Sequence, residues 1–259
     1  MLIDSHCHLD RLVDVAAALG EAREAGVGGM VTIGTRLSQA AIQIGLTGYD
    51  TPELRVWCAI GTHPDHAHEE PLPTAERIAE LTTPSHVIGI GESGLDYFHG
   101  GEDVRDIQIA SFRAHITAAR LTGLPLVIHA RQADDDVMAI LRDEHERNGA
   151  FPFLLHCFAS GTALAETAID LGGYISFSGL LTFPKCDEIR AVARQVPRER
   201  LLVETDSPFL APVPKRGKPN MPGYVAYTAA RLAAERSIEP QALADLTTAN
   251  FFRLFRRAA

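Results

Sequence analysis

The sequence predicts a (β/α)8 barrel, and three observations lead there. Eight short apolar runs recur along the chain, segments with helical periodicity separate them, and 259 residues is the usual length of one such barrel. The runs in order are LIDSHCH (2–8), VGGMVTIG (27–34), LRVWCAIG (54–61), VIGIGE (87–92), PLVIHA (125–130), PFLLHC (152–157), GYISFSG (173–179) and LLVETD (201–206). Runs this short and apolar, bounded by Gly or Pro, suit parallel strands buried on both faces. Between the first two, Leu12, Val15, Leu19 and Ala22 recur at steps of three and four within 11–25, and Gly26 follows as a stop. Within 103–122, Ile109, Phe112, Ile116 and Ala119 repeat the pattern. The terminal NFFRLF (250–255) reads as a closing helix that lays its aromatic residues on the outside of the barrel. An open, doubly wound sheet is the competing architecture, but it usually carries a Gly-rich phosphate fingerprint after its first strand. Here the first strand ends in histidines. With no composition break and no internal repeat, residues 1–259 are expected to form one domain.

Composition narrows the function classes. The chain is 46% hydrophobic and 22% charged, ordinary for a globular protein. No apolar run reaches the ~18–20 residues that span a bilayer. No basic stretch precedes an apolar one at the start, so the expectation is a cytoplasmic protein with no membrane partner. Cys7, Cys58, Cys157 and Cys186 are scattered without a C-x-x-C pair, and three lie in strand-like runs; all four are expected to be reduced and structural. The formal net charge of −9 leaves no basic stripe for tracking duplex DNA. The nearest approach is the loop PVPKRGKPN with Lys215, Arg216 and Lys218.

In an extended strand, residues two apart share a face, so His6 and His8 project together while Cys7 points away. Barrel active sites lie at the C-terminal ends of the strands. His6 and His8 end the first run, Glu92 the fourth, His129 the fifth, His156 the sixth and Asp206 the eighth. Singly, each has an ordinary reading as a core histidine or a helix cap. Together they place four imidazoles and two carboxylates on one rim, a nitrogen and oxygen set suited to Zn²⁺, Mn²⁺ or Mg²⁺. Six ligands exceed what one catalytic ion with an open position needs. Two divalent ions sharing Glu92 as a bridge would use all six, and ions roughly 3.5–4 Å apart can activate a water between them. Asp206 is the candidate to accept that water's proton. Arg131, Lys215 and Arg216 are candidates for holding a phosphate oxygen. Asp96 and Tyr97 are expected to buttress the Glu92 turn. The second H-x-H, His66 and His68, falls in the Pro- and acid-rich HPDHAHEEPLP and is expected to be solvated or lid-like.

DSHCHLD, GTHPDHA, GIGESGLDY, PLVIHAR, HCF, ISFSGLLTF, LLVETDSPFLAPVPKRGKPN and TTANFFRLF together resemble the TatD-type metal-dependent deoxyribonucleases of the amidohydrolase-like superfamily. The match runs from residue 4 to residue 255. It implies a TIM-like barrel and a divalent-metal hydrolase of phosphodiesters, with His6, His8, Glu92, His129, His156 and Asp206 as metal-site residues and His63 near the substrate. The sequence departs from the pattern at Met221-Pro222 and at Ala159 and Ser160, in loops that shape substrate choice. The expected activity is 3′→5′ exonucleolytic cleavage of a DNA end or single strand by a monomer. Rival readings are an esterase or deacylase, for example on D-aminoacyl-tRNA, and a non-catalytic metal-dependent interaction protein.

Overall fold

The computed structural model describes residues 1–99 and 102–259. All eight apolar runs form strands: β1 (Leu2–Cys7), β2 (Val27–Ile33), β3 (Arg55–Ile60), β4 (Val87–Asp96), β5 (Leu126–Arg131), β6 (Phe153–Leu155), β7 (Tyr174–Phe177) and β8 (Leu201–Val203). Each pairs in parallel with the next, in sequence order. The ends of the sheet meet through a bridge between Cys7 and Ser207, where His8 N–H donates to the Ser207 carbonyl (2.8 Å) and Asp206 N–H to that of His6 (2.9 Å). The result is a (β/α)8 barrel.

The helices are α1 (Val15–Glu24), α2 (Ala40–Leu46), α3 (Ala75–Leu81), α4 (Arg105–Thr122), α5 (Asp134–Asn148), α6 (Thr162–Asp170), α7 (Asp187–Gln195), α8 (Val225–Arg236) and α9 (Pro240–Leu254). The segment expected to be helical from residue 11 begins its helix only at Val15. Asp14 accepts a hydrogen bond from Ala17 N–H (2.9 Å) and caps α1. The outward faces of the strands, including Met30, Val56 and Leu155, pack with Phe112 and Ile116 of α4 and Leu232 of α8 in one buried cluster.

A second cluster gathers at least one side chain from every strand, among them Ile3, Trp57, Ile88 and Leu202. Eight strands of one sheet can meet in one apolar cluster only inside the barrel. Phe251, Leu254 and Phe255 belong to it. The expectation that NFFRLF lies against the outside is therefore corrected: α9 closes the barrel's N-terminal mouth. Asn250 Nδ2 donates to the carbonyl of Leu201, the first residue of β8 (2.9 Å), and Arg257 to that of Val87, the first of β4 (2.9 Å). Helical periodicity reveals that a face is apolar, not which surface covers it.

β4 is also longer than its apolar run. It continues past Glu92 to Asp96, pairing Ser93 with Ile128 and Gly94 with His129. Gly91 and Gly94 permit this course. Their φ values are +125° and +146°, and a Cβ on Gly91 would come within 2.7 Å of the Val127 carbonyl, while one on Gly94 would collide with that of His129. Conversely, β6 and β8 stop short, so His156 and Asp206 lie beyond their strands.

Candidate metal centre and active site

The C-terminal rim of the barrel holds a cavity of about 680 Å³ that brings His8, Glu92, His129, His156 and Asp206 together, with His6 buried behind them. The H-x-H spacing acts as the alternation predicts. Cys7 joins the outer cluster, while the Nε2 atoms of His6 and His8 lie 3.3 Å apart. Asp206 Oδ1 sits 3.5 Å from His6 Nε2 and 3.4 Å from His8 Nε2. Both loops that deliver polar side chains here pass through left-handed backbone, at Cys157 (φ 43°) and Asp206 (φ 57°), a conformation found often at functional sites.

Glu92 is central. Its Oε2 lies 2.8 Å from His156 Nε2 and 3.5 Å from His6 Nε2; its Oε1 lies 3.8 Å from His8 Nε2 and 3.9 Å from His63 Nε2. Burial alone would raise its carboxyl, but the charge of His156 beside it outweighs burial and holds it well below the usual range. Burial, reinforced by His156, pushes His6 down. His156 is also buried, yet Glu92 and Glu204 raise it.

Outer contacts orient three of the four rings. His8 Nδ1 lies 3.1 Å from the Ile33 carbonyl, His156 Nδ1 3.4 Å from Glu204 Oε1, and His129 Nε2 3.1 Å from Asp96 Oδ2. Each oxygen accepts a hydrogen bond from the outer nitrogen, which turns the inner nitrogen toward the site as the one that can bind a metal. Two further atoms are buried without a well-aligned hydrogen bond among the described residues: His6 Nδ1, and Glu92 Oε2 despite its close approach to His156. Groups such as His6–His8–Glu92, His6–His156–Asp206 and Glu92–His129–His156 each bring their donor atoms within 4.8 Å of one another. These residues fit a divalent metal: the donors are borderline to hard, convergent and left unsatisfied by the protein alone.

Glu204 and Asp96 are the residues that sequence reasoning underrated. Glu204 is fully buried and also accepts from Cys157 N–H (2.7 Å); it stands two residues before Asp206 in VETD, and that spacing was its available signal. Asp96, expected to buttress the Glu92 turn, instead holds His129 and His99 (2.8 Å to His99 Nδ1), and those partners keep it well below the usual carboxylate range despite burial. The Tyr97 hydroxyl donates to Asp136 Oδ2 (2.6 Å), away from Glu92.

His63 lines the cavity, and burial pushes it down to about 3, so it is neutral. Its Nδ1 accepts from Asp65 N–H (3.1 Å), which leaves Nε2 as the donor facing the site. Arg131 lines the cavity too, and so does Arg11, which sequence reasoning missed. Lys215 and Arg216 are not part of the lining. Lys215 lies over the Tyr224 ring (5.1 Å) and Arg216 over that of Phe183 (4.0 Å). His66 also borders the cavity, tied by Nδ1 to Arg36 and Glu69 (both 3.1 Å), whereas His68 is exposed. Ala159 lies on the lining, and Ser160 beside it donates to Asp134 (2.9 Å). No helix among the described residues is long and apolar enough to cross a membrane.

A barrel with histidines and carboxylates converging at its C-terminal rim defines a metal-dependent hydrolase. Residues 3–256 match the family model described as "TatD related DNase", and the chain belongs to that family. It is 38% identical over 260 residues to the Escherichia coli K12 protein named uncharacterized metal-dependent hydrolase YcfH, covering 98% of this chain and 95% of that one. It is 32% identical over 255 residues to the 3′-5′ ssDNA/RNA exonuclease TatD of Edwardsiella piscicida, covering 95% and 94%. Among solved structures, the TatD homologue YJJV of Escherichia coli superposes with a TM-score of 0.88 at 27% identity, covering 98% of both chains.

Proposed function

We propose that this hydrolase is a two-metal 3′→5′ exonuclease acting on single-stranded DNA. The observation that carries the reading is the position of Glu92, with one carboxylate oxygen toward His156 and His6 and the other toward His8 and His63. In this scheme His6, His8 and Asp206 would hold one ion, His129 and His156 a second, and Glu92 would serve both. Bound divalent ions supply positive charge to a phosphate and make a water in the cleft more acidic. Asp206 Oδ1 accepts the proton of the attacking water, as the most exposed carboxylate of the set. Water oxygen bonds to phosphorus, the P–O3′ bond breaks, and the departing 3′-oxygen takes a proton from solvent. His63 Nε2–H and the Arg131 guanidinium hold non-bridging oxygens as charge builds there. The name of the Edwardsiella relative supports the choice of a single strand.

The test is a substrate panel with metal-supplemented enzyme: 5′-labelled single-stranded DNA, an aminoacyl ester and a phosphotriester. Stepwise shortening from the 3′ end, abolished by chelation, is expected. Hydrolysis of the aminoacyl ester with intact DNA would replace this reading by a deacylase.

A further inference from the structure

Among the described residues, two phenylalanines are largely exposed, Phe98 (53%) and Phe209 (44%). Both stand at the mouth of the same cleft. Phe209 lines the cavity, with its ring 6.0 Å from that of His8. Phe98 follows Tyr97 at the end of β4, and its ring lies 4.9 Å from that of His99, another lining residue. An arginine accompanies each: Arg11 lies 5.7 Å from the centroid of Phe209, and Arg131 lies 4.0 Å from that of Phe98. Arg11 is steadied by a 3.3 Å hydrogen bond to the Thr35 hydroxyl.

Exposed aromatic rings cost apolar hydration, and other phenylalanines of this chain, such as Phe112, Phe153 and Phe177, are fully buried. A ring beside a cation, repeated on two sides of a metal-ligand cluster, is the chemistry that holds a single strand: the ring stacks a base and the cation meets a phosphate. We infer that Phe209 with Arg11 forms a stacking platform for the nucleobase next to the scissile phosphate, and that Phe98 with Arg131 receives its neighbour. The inference rests on the nuclease reading and deepens it. It makes the enzyme a reader of unstacked bases, so a duplex end must fray before it enters. It also explains how a chain of net charge −9 retains a polyanion without a basic face.

The test uses a DNA hexamer with 2-aminopurine at its 3′ end, phosphorothioate linkages against cleavage and a 5′ dye reporting binding by anisotropy. Stacking on Phe209 quenches 2-aminopurine as the dye reports binding. Phe209→Leu should lose the quench, weaken binding roughly 5- to 100-fold and erase the preference for a normal over an abasic 3′ nucleotide, while Phe209→Tyr should restore all three. Because the ring is exposed, neither substitution disturbs the core. Binding by the wild-type enzyme with a quench that persists in Phe209→Leu would overturn the platform and leave the nuclease reading standing. Failure of the wild-type enzyme either to bind or to cleave the single strand would overturn both.

Discussion

Glu92 tests the shared-metal scheme most directly. Glu92→Gln preserves shape but removes the charge that offsets repulsion between two cations, and an amide is a poor bridging ligand. Metal titration should show loss of at least one ion, and turnover on single-stranded DNA should fall beyond the ~10²–10⁴ expected for an ordinary acid–base group. Two tightly held ions with near-normal turnover would reduce Glu92 to a structural role. A second residue governs stability rather than chemistry. His115 of α4 is fully buried; its Nδ1 donates to the Ser111 carbonyl (2.7 Å), and its Nε2 accepts from Thr62 N–H (3.1 Å). Burial pushes it down to about 4, against small upward contributions from the Ser111 contact and the Glu70 charge. The unfolded chain therefore takes up a proton, near the ordinary histidine value of about 6.5, that the folded protein refuses. The stabilisation is whole above that value and is lost as pH falls toward 4, by roughly 3 kcal/mol at most. Urea titrations of wild type and His115→Gln should diverge in slope across that window, and parallel curves would remove His115 from the acid response.

At the scale of elements, the strands were legible because two-sided burial writes itself as short apolar runs. Their ends were less so. β4 runs on through Ser93–Asp96 because Gly91 and Gly94 let it pass close to β5, a tertiary approach that local pattern does not encode. His156 and Asp206 stand beyond β6 and β8, since polar loop residues continue the apparent run after pairing has stopped. α9 was legible as a helix and not as the barrel's floor. Its plug role can be measured. Phe255 is fully buried, stacked at 4.6 Å on Phe251, in the cluster to which all eight strands contribute. Phe255→Ala should cost about 3–5 kcal/mol in urea unfolding, the range for a large aromatic removed from a closed core. A loss below about 1 kcal/mol would mean that the floor is redundant with the strand interior.

The whole molecule separates a scaffold from a site, and the sequence revealed the two unequally. All six proposed metal-site residues were visible because each falls at the end of an apolar run, where a barrel gathers side chains. Their partners were not: Glu204 and Asp96 act on rings from other strands, 48 and 33 positions away in the chain. Lys215 and Arg216 were named as phosphate contacts because a basic loop reads as charge alone; that they stand over Tyr224 and Phe183, outside the cavity lining, emerges only on folding. The same separation predicts what metal removal does. The two main apolar clusters, inside the barrel and between barrel and helices, contain none of the proposed ligands. Exhaustive chelation should therefore abolish hydrolysis while the circular dichroism spectrum and a single cooperative melt persist, unlike a zinc finger, whose fold depends on its metal. Re-addition of Mn²⁺ or Zn²⁺ should restore turnover without a refolding step. Cooperative unfolding on chelation would make the ions part of the scaffold, and full activity in protein shown by elemental analysis to be metal-free would overturn the metal mechanism.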